Sequence, residues 1–252
     1  MFEVTSLFFG VVSGLLILLS GVGAGVVMVP GMMLFFGVSP ATAIGTASLA
    51  SLLIKVVATY AHGRDGRVDW ELFKYFSRWA VPSCLLLALA ITFLLRTPWG
   101  EGVQYGLKLA VLSAASLAVL TSLRPQVLLH IGQWLGGAMP LACGAMVGGT
   151  GVGGGVLIVP SLRAMTGADI KVVVGTSTVI GMLLSACTGL VFGVGGHFKP
   201  MLALLVTFGG CVGVILGRPL VARLSSRTIN TMVYALIGAS LLNMTFGLFL
   251  AQ

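Results

Sequence analysis

The decapeptide GVGAGVVMVP at Gly21–Pro30 and its near copy, GVGGGVLIVP at Gly151–Pro160, decide the architecture of this chain. The two copies are identical at seven of ten positions. The same register, continued without a gap, pairs Gly45–Thr46 with Gly175–Thr176. Glycines and a proline that interrupt apolar segments at matching places in two halves are typical of duplicated membrane proteins with broken helices. A soluble repeat array needs at least about three units to bury a continuous core, so two copies indicate a membrane duplication.

Composition places the chain in a lipid bilayer. Apolar residues make up 58% of the 252 residues, charged residues make up 8%, and the mean hydropathy is +1.10. A soluble domain has about 25% charged residues, far more than this chain. The formal charge of +8 comes from single basic residues scattered between apolar segments. We interpret this charge as a topology signal and expect no nucleic-acid partner.

Apolar segments near the length that a bilayer requires, about 20 residues, divide the chain into two similar halves. The first half contains Val4–Ser20, Val26–Phe36, Ala41–Ala61, Leu72–Leu95 and Val103–Leu123. The second half contains Val127–Val147, Val156–Met165, Ile170–Phe192, Met201–Leu216, the basic stretch Arg218–Thr228, and Ile229–Leu250. No long hydrophilic loop leaves room for a second domain. We predict one all-α transmembrane domain over residues 1–252, with repeat one at about 4–123 and repeat two at about 127–250.

The short segments after the glycines decide the topology. At 1.5 Å per residue each reaches only about 15–20 Å, so it either re-enters from one side or completes a crossing with neighbouring irregular backbone. If each counts as a crossing, basic residues collect on one side of the membrane: Arg64, Arg67, Lys74, Arg78, Arg124, Arg163, Lys171, Arg218, Arg223 and Arg227. The positive-inside rule therefore favours five elements per half and places that side in the cytoplasm. With an odd number of crossings in the first half, the second half enters the membrane from the opposite side. This predicts an inverted-topology repeat with both termini extracytoplasmic.

The glycine clusters are the first candidate site. Broken backbone at membrane depth must line a polar cavity or be buried in protein, and the N-terminus of a half-helix has free N–H groups and a positive dipole end that suit an anion. Alternatively, the glycines only permit close helix packing. The candidate substrate-binding glycines are Gly23, Gly25, Gly153 and Gly155. The residues expected to form the helix breaks are Gly21, Pro30, Gly151 and Pro160.

Polar side chains on the helices after the breaks are the second candidate group: Thr46, Ser48, Lys55, Thr176, Ser177 and Thr178. Hydroxyls can donate to substrate oxygens, or they can bond to a carbonyl one turn earlier or to another helix. A lysine at membrane depth costs roughly 2.5–3.5 kcal/mol on insertion scales and is by default a functional candidate. The alternative is that its ammonium extends to the cytoplasmic interface. In the register of the two repeats, Lys55 aligns with Ser185.

Catalytic and metal-binding patterns are absent from the sequence. No Asp or Glu falls in the middle of a predicted helix, which disfavours a carboxylate proton relay or a carboxylate sodium site. No HExxH motif occurs, and GVGAGV lacks the spacing of GxGxxG. We expect the protein to have no enzymatic activity, no cofactor and no metal site.

The ordered set of motifs resembles the TauE/SafE sulfite exporter family, also grouped as 4-toluene sulfonate uptake permeases. The resemblance rests on the two GxGxGxxxVP segments, the Gly-Thr pair after each, the stretch GRVDW at Gly66–Trp70 and the stretch LGRPLVARL at Leu216–Leu224. It implies a bacterial-type inner-membrane permease for a sulfur-containing anion, such as sulfite or the organosulfonate sulfoacetate. The sequence departs from this pattern at Phe198–Pro200 and at Ala24.

We therefore expect a secondary transporter, exporter or permease, for a small anion, with its site between the two repeats. Two alternatives stay open: a non-transporting membrane scaffold subunit, in which the glycines serve packing alone, and a passive anion channel. The sequence also leaves open whether the chain forms a homodimer. Substitution of Gly23 or Gly153 by Val is expected to abolish transport while leaving membrane insertion largely intact.

Overall fold

The computed structural model describes residues 2–20, 25–64, 68–123, 136–152 and 157–221, and these ranges contain helices and no β-strand. The helices are α1 Phe2–Ser20, α2 Gly25–Phe36, α3 Pro40–Arg64, α4 Trp70–Leu94, α5 Gly100–Leu123, α6 Met139–Thr150, α7 Ile158–Thr166, α8 Ile170–Val194 and α9 Pro200–Val221. The predicted all-α fold is confirmed for this part of the chain. The predicted last segment, Ile229–Leu250, lies outside the described residues.

Among the residues that the structure describes, four helices are long and apolar enough to cross a membrane: α3, α4, α8 and α9. Leu86 and Phe93 on α4 are exposed, as expected where a helix faces lipid. Trp70 is exposed at the first residue of α4, and Trp99 is exposed just beyond the other end, where interfacial aromatic residues concentrate. The chain is therefore a multi-pass membrane protein.

The helix bounds follow the duplicated sequence. The register that aligns the two glycine decapeptides maps both bounds of α3 onto those of α8, and it maps the first residue of α4 onto the first residue of α9. Contacts between helices also recur in the register of the two repeats. A methyl group on Gly14 of α1 would overlap the backbone of Gly210 in α9, and one on Gly144 of α6 would overlap the backbone of Ala80 in α4. Each pair is the repeat equivalent of the other.

Helices from both repeats combine into two bundles. In the first bundle α1 and α3 pack with α9, and in the second bundle α6 and α8 pack with α4. Within the first bundle the helices run in the same direction. Gly10 and Gly14 of α1 meet Val206 and Gly210 of α9 in the same order. α3 likewise contacts α9 first near its start, through Thr46, and again further along, through Ile54.

α1 and α3 both run parallel to α9, although they follow one another in the chain. Because both helices run parallel to α9, the chain leaves α1 near the end of α9 and enters α3 near the start of α9. α1 therefore ends and α3 begins at opposite ends of α9, and α2 is the described helix between them in the chain.

The two bundles meet where α3 crosses α8, and these two helices run antiparallel. Leu49 of α3 packs against Gly189 of α8. Further along α3, Thr59 donates to the sulfur of Met182, at 3.8 Å. This crossing joins repeat-equivalent helices and lies between the two bundles.

Two helix boundaries differ from the sequence prediction. α6 begins at Met139, after a 3₁₀ turn at Gly136–Ala138, because Pro140 occupies the first helical turn, where its missing N–H costs nothing. α9 continues past Gly217 to Val221. Leu15 and Leu18 of α1 pack over Gly217, and this packing supports continuous helix across the predicted boundary between Leu216 and Arg218.

Candidate functional site

The ends of the two glycine segments meet in the structure. Gly25 is the first residue of α2, and Gly151 caps the C-terminus of α6 with a φ of 64°, in the left-handed region that favours glycine. A methyl group on Gly25 would overlap the carbonyl oxygen of Gly151. The backbones of the two repeats are therefore in direct contact here. Gly21, Gly23, Gly153 and Gly155 lie outside the described residues.

This glycine junction is buried in protein beside α3. Val26, Met28 and Val29 of α2 are fully buried, so the start of α2 occupies one of the two environments in which interrupted backbone survives in a membrane. A methyl group on Gly151 would lie 3.4 Å from Oγ of Ser48. At Gly25 the packing role that the sequence left open is therefore real, and it brings the junction next to a polar residue of α3.

The two predicted break prolines lie inside helices. Pro30 is buried in the interior of α2, so the prediction that it breaks the helix is wrong. Its missing N–H would have bonded to the carbonyl of Val26, one turn from the helix start, and membrane helices tolerate such a loss. Pro160 is the third residue of α7, in the first turn, where no helical N–H bond is required.

Lys55 lies at the crossing of α3 and α8 and is only 4% exposed. Its Nζ donates to Oγ of Ser185 at 2.9 Å and to the carbonyl oxygen of Gly181 at 3.1 Å. Its side chain therefore points into α8, and its ammonium does not extend to the interface. Both described partners are neutral oxygens, and they use two of the three N–H donors of the ammonium.

Ser48 lies on the same face of α3 as Lys55, two turns earlier, and is buried. Seven residues of helix correspond to about 10 Å. The glycine junction beside Ser48 and the ammonium of Lys55 are thus neighbouring features on one face of a single helix.

Thr46 and Thr176 hold the starts of two other helices. Oγ1 of Thr46 accepts from the backbone N–H of Lys199 at 3.1 Å, and Oγ1 of Thr176 accepts from the backbone N–H of Asp69 at 2.9 Å. The two bonds are repeat equivalents, and each lies within one bundle. Thr46 is about 13 Å along α3 from Lys55, so these threonines lie apart from the ammonium.

Ser177 and Thr178 bond to their own helix. Both hydroxyls donate to the carbonyl oxygen of Val174, at 2.9 and 2.8 Å. This is the local bonding that the sequence left open as the alternative to substrate contact. The hydroxyl protons of both residues are therefore already hydrogen-bonded in this conformation.

Sequence reasoning missed two polar residues at the crossing. From the sequence, Ser185 is identified only as the repeat equivalent of Lys55, and Ser51 is not identified. Ser51 is buried, and its Oγ has no hydrogen-bond partner among the described residues. The signal available in the sequence was its spacing, since Ser48, Ser51 and Lys55 follow one another at intervals of three and four residues.

Two crevices lie away from the crossing of α3 and α8. One, of about 450 Å³, is lined by Leu89, Phe93, Arg96 and Leu190 at the ends of α4 and α8. Another, of about 370 Å³, lies among α4, α5 and α6 and includes Leu107 and Met146. Both are apolar and are lined by none of the predicted site residues. Because Lys55 is only 4% exposed, its ammonium is occluded in this conformation.

A mutational test follows from the two threonine bonds. Thr46→Ala and Thr176→Ala each leave a backbone N–H without its acceptor, which should cost about 1–3 kcal/mol of unfolding free energy. The apparent melting temperature in detergent should fall for each variant. Ser113→Ala, which removes an exposed bond within α5, is the control and should leave it nearly unchanged. A wild-type melting temperature for either threonine variant would contradict the stated role.

Comparison with known proteins gives a consistent result. The family model described as "Sulfite exporter TauE/SafE" matches residues 6–244. The chain is 25% identical to the probable membrane transporter protein YjnA of Bacillus subtilis, over 93% of this chain and 96% of that protein. It is 28% identical to the probable membrane transporter protein YunE of the same organism, over 92% and 94%. A probable membrane transporter protein of Haemophilus influenzae is 27% identical, over 80% and 77%. No solved structure matches the chain.

Proposed function

Because this chain belongs to the TauE/SafE sulfite exporter family, a family of membrane transporters, we propose that it is a secondary transporter of a small anion, such as sulfite or the organosulfonate sulfoacetate. The observation that carries the proposal is Lys55. A charge buried among neutral oxygens is unfavourable unless an opposite charge compensates it. An anion that binds there supplies that compensation without any carboxylate of the protein.

The proposed site extends from Lys55 towards the glycine junction. Ser48 lies between the two on α3, beside Gly151. The sequence prediction that Gly153 and Gly155 offer backbone N–H groups to the anion is kept as part of this proposal. In this proposal Lys55 supplies charge, and the backbone supplies directional hydrogen bonds.

Transport requires that the site open to each side in turn, and the crossing of α3 and α8 suits that motion. It joins the two bundles through hydrogen bonds from Lys55 to Ser185 and Gly181. A bound anion competes for the same ammonium protons, so substrate binding and loosening of the crossing are linked. Differential binding of this kind is what allows a ligand to shift a conformational equilibrium.

We also propose the inverted topology for the two repeats. Its support is the antiparallel crossing of α3 and α8, because a two-fold rotation that exchanges antiparallel neighbours has its axis perpendicular to them. For helices that cross a bilayer, that axis lies in the membrane plane, as in inverted-repeat transporters. With the basic side inward, both termini are extracytoplasmic and the membrane is the bacterial inner membrane.

The topology is testable with two matched cysteine variants in a background without Cys84, Cys143, Cys187 and Cys211. Glu71→Cys in the first turn of α4 and Glu101→Cys in the first turn of α5 both replace exposed residues. An impermeant thiol reagent added to intact cells should label position 101 and spare position 71 until the membrane is opened. The reverse pattern would refute the proposed orientation.

The transport activity is testable in reconstituted vesicles. The purified protein is offered radiolabelled sulfite, sulfoacetate, taurine and sulfate on one side of the membrane. A carrier should show saturation and counterflow for one of these anions. Linear uptake without counterflow would favour a channel, and no uptake of any anion would favour a scaffold subunit.

A further inference from the structure

The centre of the crossing contains four positions that the repeat exchanges in pairs. Lys55 contacts Ser185 and Gly181 on α8. Lys55 and Ser185 are repeat equivalents, and so are Ser51 and Gly181. When the contact between Lys55 and Gly181 is mapped through the repeat, Lys55 becomes Ser185 and Gly181 becomes Ser51. The equivalent contact therefore joins Ser51 to Ser185. Ser51 therefore belongs to the same layer of the crossing as Lys55.

The neighbouring contacts agree with this position. Leu49 packs against Gly189 on one side of the layer, and Thr59 reaches Met182 on the other. Ser51 precedes Lys55 by one turn of α3, so their Cβ atoms are about 5–6 Å apart on one face of the helix. The layer thus combines one long cationic side chain with three small residues.

No contact among the described residues explains why position 51 carries a hydroxyl group. Its hydroxyl is buried and has no hydrogen-bond partner among the residues that the structure describes. Buried hydroxyls are normally hydrogen-bonded, and one that is not is unfavourable to folding. Serine hydroxyls in membrane helices usually satisfy themselves on the preceding turn, as Ser177 does.

We infer that Ser51 is a second donor to the transported anion, so that its Oγ–H and one N–H of Lys55 bind two oxygens of the same sulfite or sulfonate group. The inference rests on the proposed anion transport and adds a residue that selects for an oxyanion. Binding needs no proton transfer. The anion replaces Ser185 as a partner of the ammonium, and it gives the Ser51 hydroxyl its acceptor.

The test compares Ser51→Ala with Ser13→Ala. Both serines are buried without a described partner, but Ser13 lies on α1, which packs along α9. Dissociation constants for sulfite and sulfoacetate are measured by titration calorimetry on purified protein. Loss of a hydrogen bond to a charged group should weaken binding roughly 10- to 150-fold for Ser51→Ala. Ser13→Ala should stay within about twofold.

Two further measurements separate binding from folding. Ser51→Ala removes an unpartnered hydroxyl, so its melting temperature without ligand should equal or exceed that of the wild type. In a Lys55→Gln background, Ser51→Ala should have a much smaller effect on affinity than alone, because both residues bind one anion and their effects are coupled.

The outcomes are distinct. Unchanged affinity for Ser51→Ala, with weaker binding for Lys55→Gln, would overturn the role of Ser51 and leave anion transport standing. Equal losses from Ser51→Ala in both backgrounds would also overturn it. If the wild type neither binds nor transports any of the anions, the proposed function fails and this inference fails with it.

Discussion

Gly25→Val is expected to abolish transport. Any Cβ at this position would overlap the carbonyl oxygen of Gly151, and a backbone atom cannot rotate aside as the end of a side chain can. The two repeats would have to separate at the glycine junction, beside Ser48. Overpacking of this kind costs about 1–3 kcal/mol and at times more. Anion uptake by reconstituted vesicles measures the loss, with the yield of monodisperse protein recorded for each variant.

Gly106→Val is the matched control for this substitution. Gly106 lies within α5, and a methyl group there would meet no atom within 4 Å. The same change of residue is therefore made in another helix, without the backbone contact. Uptake by Gly106→Val should stay close to that of the wild type. Equal uptake by Gly25→Val and the wild type would mean that the contact between the two glycine segments is dispensable for transport.

Lys55→Gln should weaken anion binding about 5- to 150-fold. Glutamine keeps most of the side-chain length and can still donate to the carbonyl of Gly181, but it removes the positive charge. Replacing an ion pair by a neutral hydrogen bond in a desolvated site costs roughly 1–3 kcal/mol. Substrate dissociation constants for both proteins in detergent, at matched ionic strength, measure the effect.

Two controls define what the result means. Lys74→Gln removes an exposed charge from the start of α4 and should leave affinity within about twofold. Ser185→Ala removes a neutral partner of Lys55 and leaves the charge, so its effect on affinity should be smaller than that of Lys55→Gln. A wild-type dissociation constant for Lys55→Gln would exclude Lys55 from the site and leave anion binding to the backbone.

Much of the fold was predictable because it depends on local pattern. Apolar runs of a given length form membrane helices almost irrespective of their neighbours, and α4 and α5 begin within three residues of their predicted starts. α2 and α7 were also predicted as short helices. The start of α6 was not predicted. The apolar run continues through Pro140 without a visible break, but a proline favours the first turn of a new helix.

The site was less predictable because it depends on which helices touch. The register of the two repeats aligned Lys55 with Ser185, but alignment of two positions does not make them neighbours. They meet because α3 and α8 cross antiparallel close to these two residues. Sequence also could not decide what Ser177 and Thr178 do, since a carbonyl of the preceding turn is always within reach of a helical hydroxyl.

The pairing of α1 with α9 has a consequence for how the protein is made. Gly14 meets Gly210, so most of the chain is synthesised between the two contacting positions. At about 5–20 residues per second, α1 waits roughly 10–40 s after its own synthesis before its partner leaves the ribosome. During that time its glycine-lined face is in contact with lipid or with other helices that accept small-residue packing. A chain that stops before Pro200 therefore lacks the helix that covers this face of α1.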